Sequence, residues 1–293
     1  MPLLTLGGWT LRSLETGFLW LDGGSMFGSV PKPLWSKLHP PDERNRIRLA
    51  MRCLLAEGHG RRVLVDDGVG AKFSPKLADI YRVELGEHTL ERALDAAGLG
   101  VEDITDVVLT HLHFDHAGGS TARRGERLEP RLPRARYYVQ RRNWDNARNP
   151  NPRERASYMA ENFEPLMEAG ALTLWEGGQQ PWPGFELFTA DGHTRGQQLV
   201  RLSGPEGVLY FVADLIPTAA HVRIPYVMGY DVAAIETMEE KRMLLDRASA
   251  ERAWICLEHD PEVALGRPVA EDDDFAWAET VAAGEAAVPS GRA

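Results

Sequence analysis

The sequence predicts an α/β protein in which two mixed β-sheets are flanked by helices. Two observations predict this class. Short apolar or alternating runs, typical of strands, end at Gly, Pro or Asp-Gly turns along most of the 293 residues. A theme of strands, a helix and a further strand occurs in the first half of the chain and again in the second half. With 43% apolar residues, the chain can also bury an extensive core.

Strands open the chain. They are predicted over residues 9–21, 46–56 and 62–65, where apolar residues alternate or run together before a glycine-containing turn. A helix is predicted over 89–97, because apolar residues recur there at helical spacing and Gly98 stops the helix.

The middle of the chain combines a buried strand with surface helices. The β-branched run over 104–109 predicts the buried strand, and residues 137–139 predict a short one. Helices on the surface are predicted over 142–148 and 153–169.

The second half repeats the theme and ends in an acidic segment. Four strands, an amphipathic helix and a last strand are predicted over 172–175, 185–190, 198–202, 208–213, 233–248 and 254–257, respectively. Acidic residues 271–274 and small residues 282–293 indicate a solvated, partly frayed end. No linker-like segment divides the chain, so we predict a single domain over residues 1–280 and a flexible tail over 281–293.

Charge and composition indicate which classes of molecule the protein can bind. The formal charge of −10 provides no basic surface for a phosphate backbone, which argues against nucleic acid and favours a small-molecule substrate. No apolar run reaches the roughly 18 residues that span a bilayer, and the N-terminus lacks the pattern of a signal peptide. We therefore expect a cytoplasmic protein without a membrane partner. The only two cysteines, Cys53 and Cys256, lie in apolar runs and fit a reducing compartment.

A cluster of possible metal ligands follows the buried strand at 104–109. His111, His113, Asp115 and His116 fall within six residues, and hydrophobic packing does not explain such a cluster. His111 and His113 share one side if the backbone is extended, whereas Asp115 and His116 must turn away from it. Imidazole nitrogens and carboxylate oxygens are ordinary ligands of Zn²⁺. Four candidate ligands in one loop indicate two ions.

Three further candidates occur in the second half. His193, Asp214 and His259 each follow the end of a predicted strand. Loops at one edge of a layered α/β fold can meet although they are distant in sequence. A lone histidine after a strand is more often a surface residue, but together with the cluster these residues predict a shared site.

With these residues in this order, the sequence resembles the metallo-β-lactamase superfamily. The resemblance rests on His-x-His-x-Asp-His at 111–116, Gly-His-Thr around 193, and the later aspartate and histidine, in the order of that family. It implies an αββα sandwich with the site at one edge, and two divalent metal ions, Zn²⁺ by preference, although the same ligands accept Mn, Fe or Co. It further implies that one ion is held by His111, His113 and His193, the other by Asp115, His116 and His259, with Asp214 bridging.

The resemblance also implies an activity. His113 stands where di-iron relatives carry Glu, which favours hydrolysis over redox chemistry. Residues 23–35 and 214–218, with His221, look like the subgroup of YtnP-type N-acyl homoserine lactonases. The expected reaction is lactone ring opening by a metal-bridging hydroxide, with Asp115 returning a proton to the leaving alkoxide. A phosphotriesterase or arylesterase resembling methyl parathion hydrolase is the alternative, and a non-catalytic protein that kept the fold is a third hypothesis.

Further residues are expected to surround the metal ions. Asp66, after the third strand, is expected to orient a metal-binding histidine. The tyrosine that better-known lactonases carry soon after the bridging aspartate is absent here, and His221 or Tyr230 could replace it, although His221 could equally bond a loop. Met26 and Phe27 lie in an apolar loop that could clasp an acyl chain or, alternatively, pack in the core or in a homodimer contact.

Overall fold

A computed structural model describes residues 3–285. Its strands are β1 (Leu4–Leu6), β2 (Trp9–Asp22), β3 (Arg46–Gly58), β4 (Arg61–Val65), β5 (Asp106–Val108), β6 (Thr121–Arg124), β7 (Arg127–Pro130), β8 (Arg136–Gln140), β9 (Leu172–Trp175), β10 (Gln179–Trp182), β11 (Phe185–Ala190), β12 (Gln197–Gly204), β13 (Gly207–Phe211), β14 (Trp254–Cys256), β15 (Val263–Glu271) and β16 (Asp274–Ala282).

The helices lie between these strands. They are α1 (Gly23–Phe27), α2 (Lys32–Trp35), α3 (Pro75–Ile80), α4 (Leu90–Ala96), α5 (Phe114–Ala117), α6 (Arg141–Arg148), α7 (Glu164–Glu168) and α8 (Ala234–Ala250). Turns of 3₁₀-helix occur at Val101–Asp103, Arg155–Ser157, Ala160–Asn162, Ala213–Leu215 and Ala219–Val222.

The strands form two seven-stranded sheets, one from each half of the chain. The first has the order β1-β2-β3-β4-β5-β8-β9 and the second the order β10-β11-β12-β13-β14-β15-β16, while β6 and β7 form a separate hairpin. Both large sheets mix parallel and antiparallel pairs. The predicted fold class, two mixed sheets flanked by helices, is confirmed.

The inner faces of the two sheets form the central core. Leu54 and Val65 of the first sheet belong to one buried cluster with Val200 and Phe211 of the second sheet. Burial of each such side chain stabilises the fold by about 1.5–3 kcal/mol relative to exposure. The alternation along the strands that predicted them is therefore the alternation between this core and the outer faces.

Helices cover the outer faces. On the first sheet, Leu94 of α4 and Leu166 of α7 pack in one cluster with strand residues such as Leu64. On the second sheet, Leu244 and Leu245 of α8 pack in a cluster of their own. The four layers are thus helices, sheet, sheet and helices.

One edge of the sandwich collects the ends of the parallel strands. β4, β5, β8 and β9 run parallel in the first sheet, and β13 and β14 run parallel in the second. The backbones of the two sheets are hydrogen-bonded at this edge, where Ala50 N donates to His259 O (3.0 Å) and Gln198 N donates to Thr110 O (2.8 Å). The loops after β4, β5, β11, β13 and β14 therefore meet here.

Two predicted segments are wrong. The helix predicted over 153–169 is replaced by two 3₁₀ turns and the short α7. Pro165 lies in the first turn of α7, where its missing N–H is tolerated, and earlier in the segment the backbone N–H groups of residues 153 and 154 donate to the side chain of Asn151. The frayed end predicted after Pro268 is the β15–β16 hairpin, whose turn contains the acidic run. Strand β16 continues to Ala282, past the predicted boundary at residue 280, and residues 286–293 of the predicted tail lie outside the described residues.

Other expectations can be compared directly. Both cysteines are buried and unpaired. Over residues 3–285, the structure contains no helix with the length and apolar character required to cross a bilayer.

Candidate metal centre

The histidine-rich loop begins directly after β5. His111 is fully buried, and the chain then turns into α5, which carries Asp115 and His116. A glycine at the end of this loop allows a close backbone contact, because a Cβ added to Gly119 would lie 2.1 Å from the carbonyl oxygen of Asp67. Only glycine allows this approach, so the loop packs against the turn that follows β4.

The first group of candidate ligands joins both halves of the chain. His111 Nε2 lies 3.0 Å from His113 Nδ1, and His193 Nε2 lies 3.2 Å from the same atom. Asp214 Oδ2 lies 3.0 Å from His193 Nε2 and 3.8 Å from His111 Nε2. Two ligands on a tetrahedral zinc are separated by about 3.4 Å, given bonds of about 2.0–2.1 Å. The four residues can therefore hold one metal ion.

The second group lies beside the first. His116 Nε2 and His259 Nε2 are 3.2 Å apart. Asp115 Oδ1 lies 3.8 Å from His116 Nε2, and Asp115 Oδ2 lies 4.0 Å from His259 Nε2. Ligand atoms of these three residues all fall within 4.8 Å of one another, so they can hold a second ion.

Asp214 lies between the two groups. Its Oδ2 faces His193, and its Oδ1 lies 3.0 Å from His259 Nε2. The residue sits in the 3₁₀ turn after β13, where the left-handed backbone of Ala213 (φ 42°) turns the chain toward the edge. One carboxylate thus offers an oxygen to each group.

Outer hydrogen bonds orient several of these imidazoles. Asp66 Oδ2 lies 3.0 Å from His116 Nδ1, and the Asp66 carboxylate also accepts from Thr110 N and Oγ1, each at 2.7 Å. The Ala50 carbonyl accepts from His259 Nδ1 at 2.9 Å. An acceptor on one ring nitrogen keeps the proton there and leaves the lone pair of the other nitrogen for a metal. The donor set therefore suits divalent cations.

Asp231 is a site residue that sequence reasoning missed. Its Oδ1 accepts from His193 Nδ1 at 2.9 Å, and its Oδ2 accepts from Met228 N at 3.0 Å. A single aspartate in a loop, 38 positions from its partner, carries no local signal in a sequence. The role of Asp231 follows only from the tertiary contact.

Carboxylates and imidazoles shift each other's pKa values strongly. Burial raises the pKa of Asp214, but the imidazoles of His193 and His259 outweigh burial and hold that pKa well below its usual range. Burial lowers the pKa of His193, but Asp214 and Asp231 outweigh it and raise that pKa to about 10. Burial and the neighbouring histidines lower the pKa of His111 well below its usual range. The centre thus pairs buried carboxylates with buried imidazoles, and a cation can take the place of the protons that these imidazoles would otherwise hold.

Two residues predicted to contact a substrate, Met26 and Phe27, lie outside the loops that carry the candidate ligands. Met26 and Phe27 are buried in α1, in a cluster with Trp35 and Met228. The ring of Phe27 stacks on that of Trp35, with centroids 5.4 Å apart. Both side chains thus have the contacts expected if they pack in the core. Contact of Met26 or Phe27 with a substrate stays a prediction.

His221 and Tyr230 lie on the segment between Asp214 and α8. Thr218 Oγ1 lies 2.7 Å from His221 Nδ1, and His221 Nε2 lies 2.9 Å from the Met26 carbonyl oxygen, so this buried ring connects the segment to α1. Tyr230 is exposed at 36%, which leaves its ring accessible to a ligand. Substrate contact by either residue stays a prediction.

Comparison with solved structures agrees with this architecture. A "probable metal-dependent hydrolase" from Staphylococcus aureus superposes with a TM-score of 0.84 at 28% identity, over 95% of this chain and 100% of that chain. AidC, a dizinc quorum-quenching lactonase in complex with a product, superposes with a TM-score of 0.78 at 21% identity, over 94% and 95% of the two chains. At 21% identity the likeness to AidC concerns the fold alone.

Sequence comparison points to hydrolases. A "Probable metallo-hydrolase" of Mycobacterium bovis is 25% identical over 249 residues, which are 75% of each chain. N-acyl homoserine lactonase AttM of Azorhizobium caulinodans is 28% identical over 175 residues, 57% of this chain and 62% of its own length. The family model of the metallo-beta-lactamase superfamily matches residues 52–259, from β3 to the last candidate ligand. The chain therefore belongs to the metallo-beta-lactamase superfamily, as a metal-dependent hydrolase.

Proposed function

We propose that this protein is a binuclear metal-dependent lactonase that opens the ring of N-acyl homoserine lactones. The observation that carries the proposal is the position of Asp214, which offers one carboxylate oxygen to each of two adjacent ligand groups. A carboxylate shared between two adjacent ligand groups suits a pair of ions that act together on one substrate.

The ligands are assigned from the two groups. His111, His113 and His193 would hold one ion, Asp115, His116 and His259 the other, and Asp214 both. Zn²⁺ suits this mixture of imidazole and carboxylate, and supply could substitute Mn, Fe or Co. When bound, such ions supply a hydroxide nucleophile at neutral pH and polarise a carbonyl group.

Asp115 is the proposed acid of the reaction. It is the most exposed of the seven ligands, at 8%, so its carboxyl group can reach both the centre and a bound substrate. Opening a lactone produces an alkoxide, a poor leaving group that needs a proton. Asp115 would deliver that proton, whereas no serine or cysteine nucleophile is needed.

Relatives favour lactones among the possible substrates. Two curated relatives, from Azorhizobium caulinodans and Bacillus cereus, are N-acyl homoserine lactonases, at 28% and 26% identity. The net charge of −10 also favours a neutral substrate over a polyanion. Opening such lactones would quench the signals that they carry.

The decisive experiment compares two substrates on the Zn²⁺-loaded protein. We expect kcat/KM for a long-chain N-acyl homoserine lactone to exceed kcat/KM for a paraoxon-type phosphotriester by at least about 10²-fold. The His111→Ala variant is the control, because it lacks a ligand and should lose both activities. A negligible lactone rate beside efficient phosphotriester hydrolysis would overturn the proposal in favour of a phosphotriesterase.

A further inference from the structure

A buried carboxylate, Glu154, lies behind the first ligand group and has no role in the proposed reaction. It belongs to the segment after α6 and is only 3% exposed. Its Oε1 accepts from Asn146 Nδ2 at 2.9 Å and from Asn151 Nδ2 at 2.7 Å, and its Oε2 accepts from Thr194 Oγ1 at 2.8 Å. The Tyr158 hydroxyl adds a longer contact to Oε2 at 3.5 Å. Burying a charged group is costly unless donors compensate it, and these four side chains hold the carboxylate in place.

The carboxylate faces His113. Within residues 3–285, this is the imidazole of the first group that has no hydrogen bond on the ring nitrogen facing away from the candidate metal site. His113 directs Nδ1 at His111 and His193, so a metal bound to Nδ1 would leave the ring proton on Nε2. That Nε2 is buried and has no hydrogen-bond partner among the described residues. Glu154 Oε2 lies 3.8 Å from it.

Other contacts restrict where the His113 ring can go. The ring of Tyr158 lies against it with centroids 4.7 Å apart, and the hydroxyl of Tyr158 is 2.6 Å from Thr194 Oγ1. Thr194 is in turn bonded to Glu154. The ring is therefore enclosed by a polar network whose one charged member is Glu154.

We propose that Glu154 is a positioning residue for His113: it attracts the Nε2 proton, which keeps the lone pair of Nδ1 directed at the first metal site. The inference rests on the proposed metal centre, but it concerns metal affinity and does not depend on the substrate. Asp66 and Asp231 likewise place a carboxylate behind His116 and His193, there at hydrogen-bond distances of 3.0 and 2.9 Å from Nδ1. Outer partners of this kind raise ligand basicity and metal affinity.

Glu154→Gln tests the charge with little change in shape. If the amide oxygen takes the place of Oε1, the NH₂ group faces the N–H of His113. If the amide is turned over, its NH₂ group meets the side-chain donors of Asn146 and Asn151. Either way one buried donor opposes another, and His113 loses its anionic neighbour.

The primary readout is Zn²⁺ affinity, measured on the full chain by competition with a chromophoric chelator. We expect Glu154→Gln to bind Zn²⁺ about 10- to 100-fold more weakly than the wild type and Glu154→Asp to recover part of that loss. The visible absorption of the Co²⁺-substituted protein should change in the glutamine variant. Glu164→Gln is the matched control, because Glu164 begins α7 and pairs with Arg148 at the surface, so the same loss of charge there should leave affinity unchanged.

Specific results would overturn the inference. Zn²⁺ affinity of Glu154→Gln within about threefold of the wild type would do so, and so would an aspartate variant no better than glutamine, since the charge would then not matter. If the glutamine variant does not fold, Asn151→Ala at an exposed position replaces it. This variant removes one of the two amide donors to Oε1, so the carboxylate is held less firmly opposite His113 and Zn²⁺ binding should weaken; wild-type affinity would count against the inference. A wild type without lactonase activity would end the proposed function but leave this ordering of affinities testable.

Discussion

Asp115 is the residue at which metal binding and proton transfer would meet. A carboxylate that only ligates a metal and one that also donates a proton can be distinguished by the leaving group. A lactone alkoxide needs a proton in the transition state, whereas p-nitrophenolate leaves without one.

We therefore predict that Asp115→Asn lowers kcat for a lactone by about 10²–10⁴-fold and kcat for a p-nitrophenyl ester by much less. Both rates are measured on protein of equal metal content, determined by elemental analysis. Equal losses on the two substrates would contradict the acid role and leave Asp115 as a ligand only.

His221 makes a second residue-level prediction, for stability against pH. Burial lowers the pKa of His221 to about 3, below the value of about 6.5 in an unfolded chain, with Lys241 and His39 adding to the effect. The unfolded state then binds one more proton between these two values, so His221 stabilises the fold above pH 6.5 and this contribution is lost as pH falls.

Consequently, the free energy of unfolding of the wild type should fall more steeply below pH 6.5 than that of His221→Gln. The difference in slope, measured by urea unfolding between pH 5 and 7, is small at pH 7 and approaches about 1.4 kcal/mol per pH unit near pH 5. Glutamine can still donate to the Met26 carbonyl, and the other titrating groups are common to both proteins. Parallel pH profiles would show that His221 does not remain neutral.

At the scale of elements, α8 holds the segment that leads to Asp231. Lys241 of α8 is fully buried, and its Nζ donates to the carbonyls of His221, Arg223 and Tyr226 at 3.1, 2.8 and 2.7 Å. Three backbone acceptors in this segment thus depend on one side chain of a helix.

We predict that Lys241→Met destabilises the protein by about 2–4 kcal/mol, because the buried carbonyls lose their donor. The free energy of unfolding in urea gives the value, and Arg242→Met, at the exposed neighbouring position, is the control, with an expected change of about 0.5 kcal/mol. If both substitutions have the same effect, the three hydrogen bonds do not hold the segment.

Elements with strong patterns could be predicted from the sequence. The strands at 172–175 and 185–190 match β9 and β11, because alternation records the difference between core and outer face. The β15–β16 hairpin was missed because its acidic turn hid two half-exposed strands. In the site, histidines near strand ends were visible, whereas Asp231 and Glu154 are lone acidic residues whose partners are distant in sequence.

At the scale of the whole molecule, the ligands connect the two sheets. The first group takes His111 and His113 from the first half and His193 and Asp214 from the second. Bound cations would therefore join the sheets at their shared edge, in addition to the core between them. A ligand that binds only the folded state raises stability by RT ln(1 + [L]/Kd).

We predict that removing the metal with a chelator lowers the thermal midpoint by about 5 °C or more, since a cation at a hundred times its Kd contributes about 2.7 kcal/mol. Differential scanning calorimetry with and without the chelator measures the shift. The same treatment of His111→Ala should have a much smaller effect. An unchanged midpoint in the wild type would mean that no cation connects the sheets.

The order of the ligands along the chain has a consequence for synthesis. A ribosome produces His111 to Asp214 first, yet the second ligand group lacks a member until His259 has emerged. A polypeptide that stops before His259 would thus carry the whole first sheet beside an incomplete pair of ligand groups, and hydrolytic chemistry would have to wait until synthesis has passed that residue.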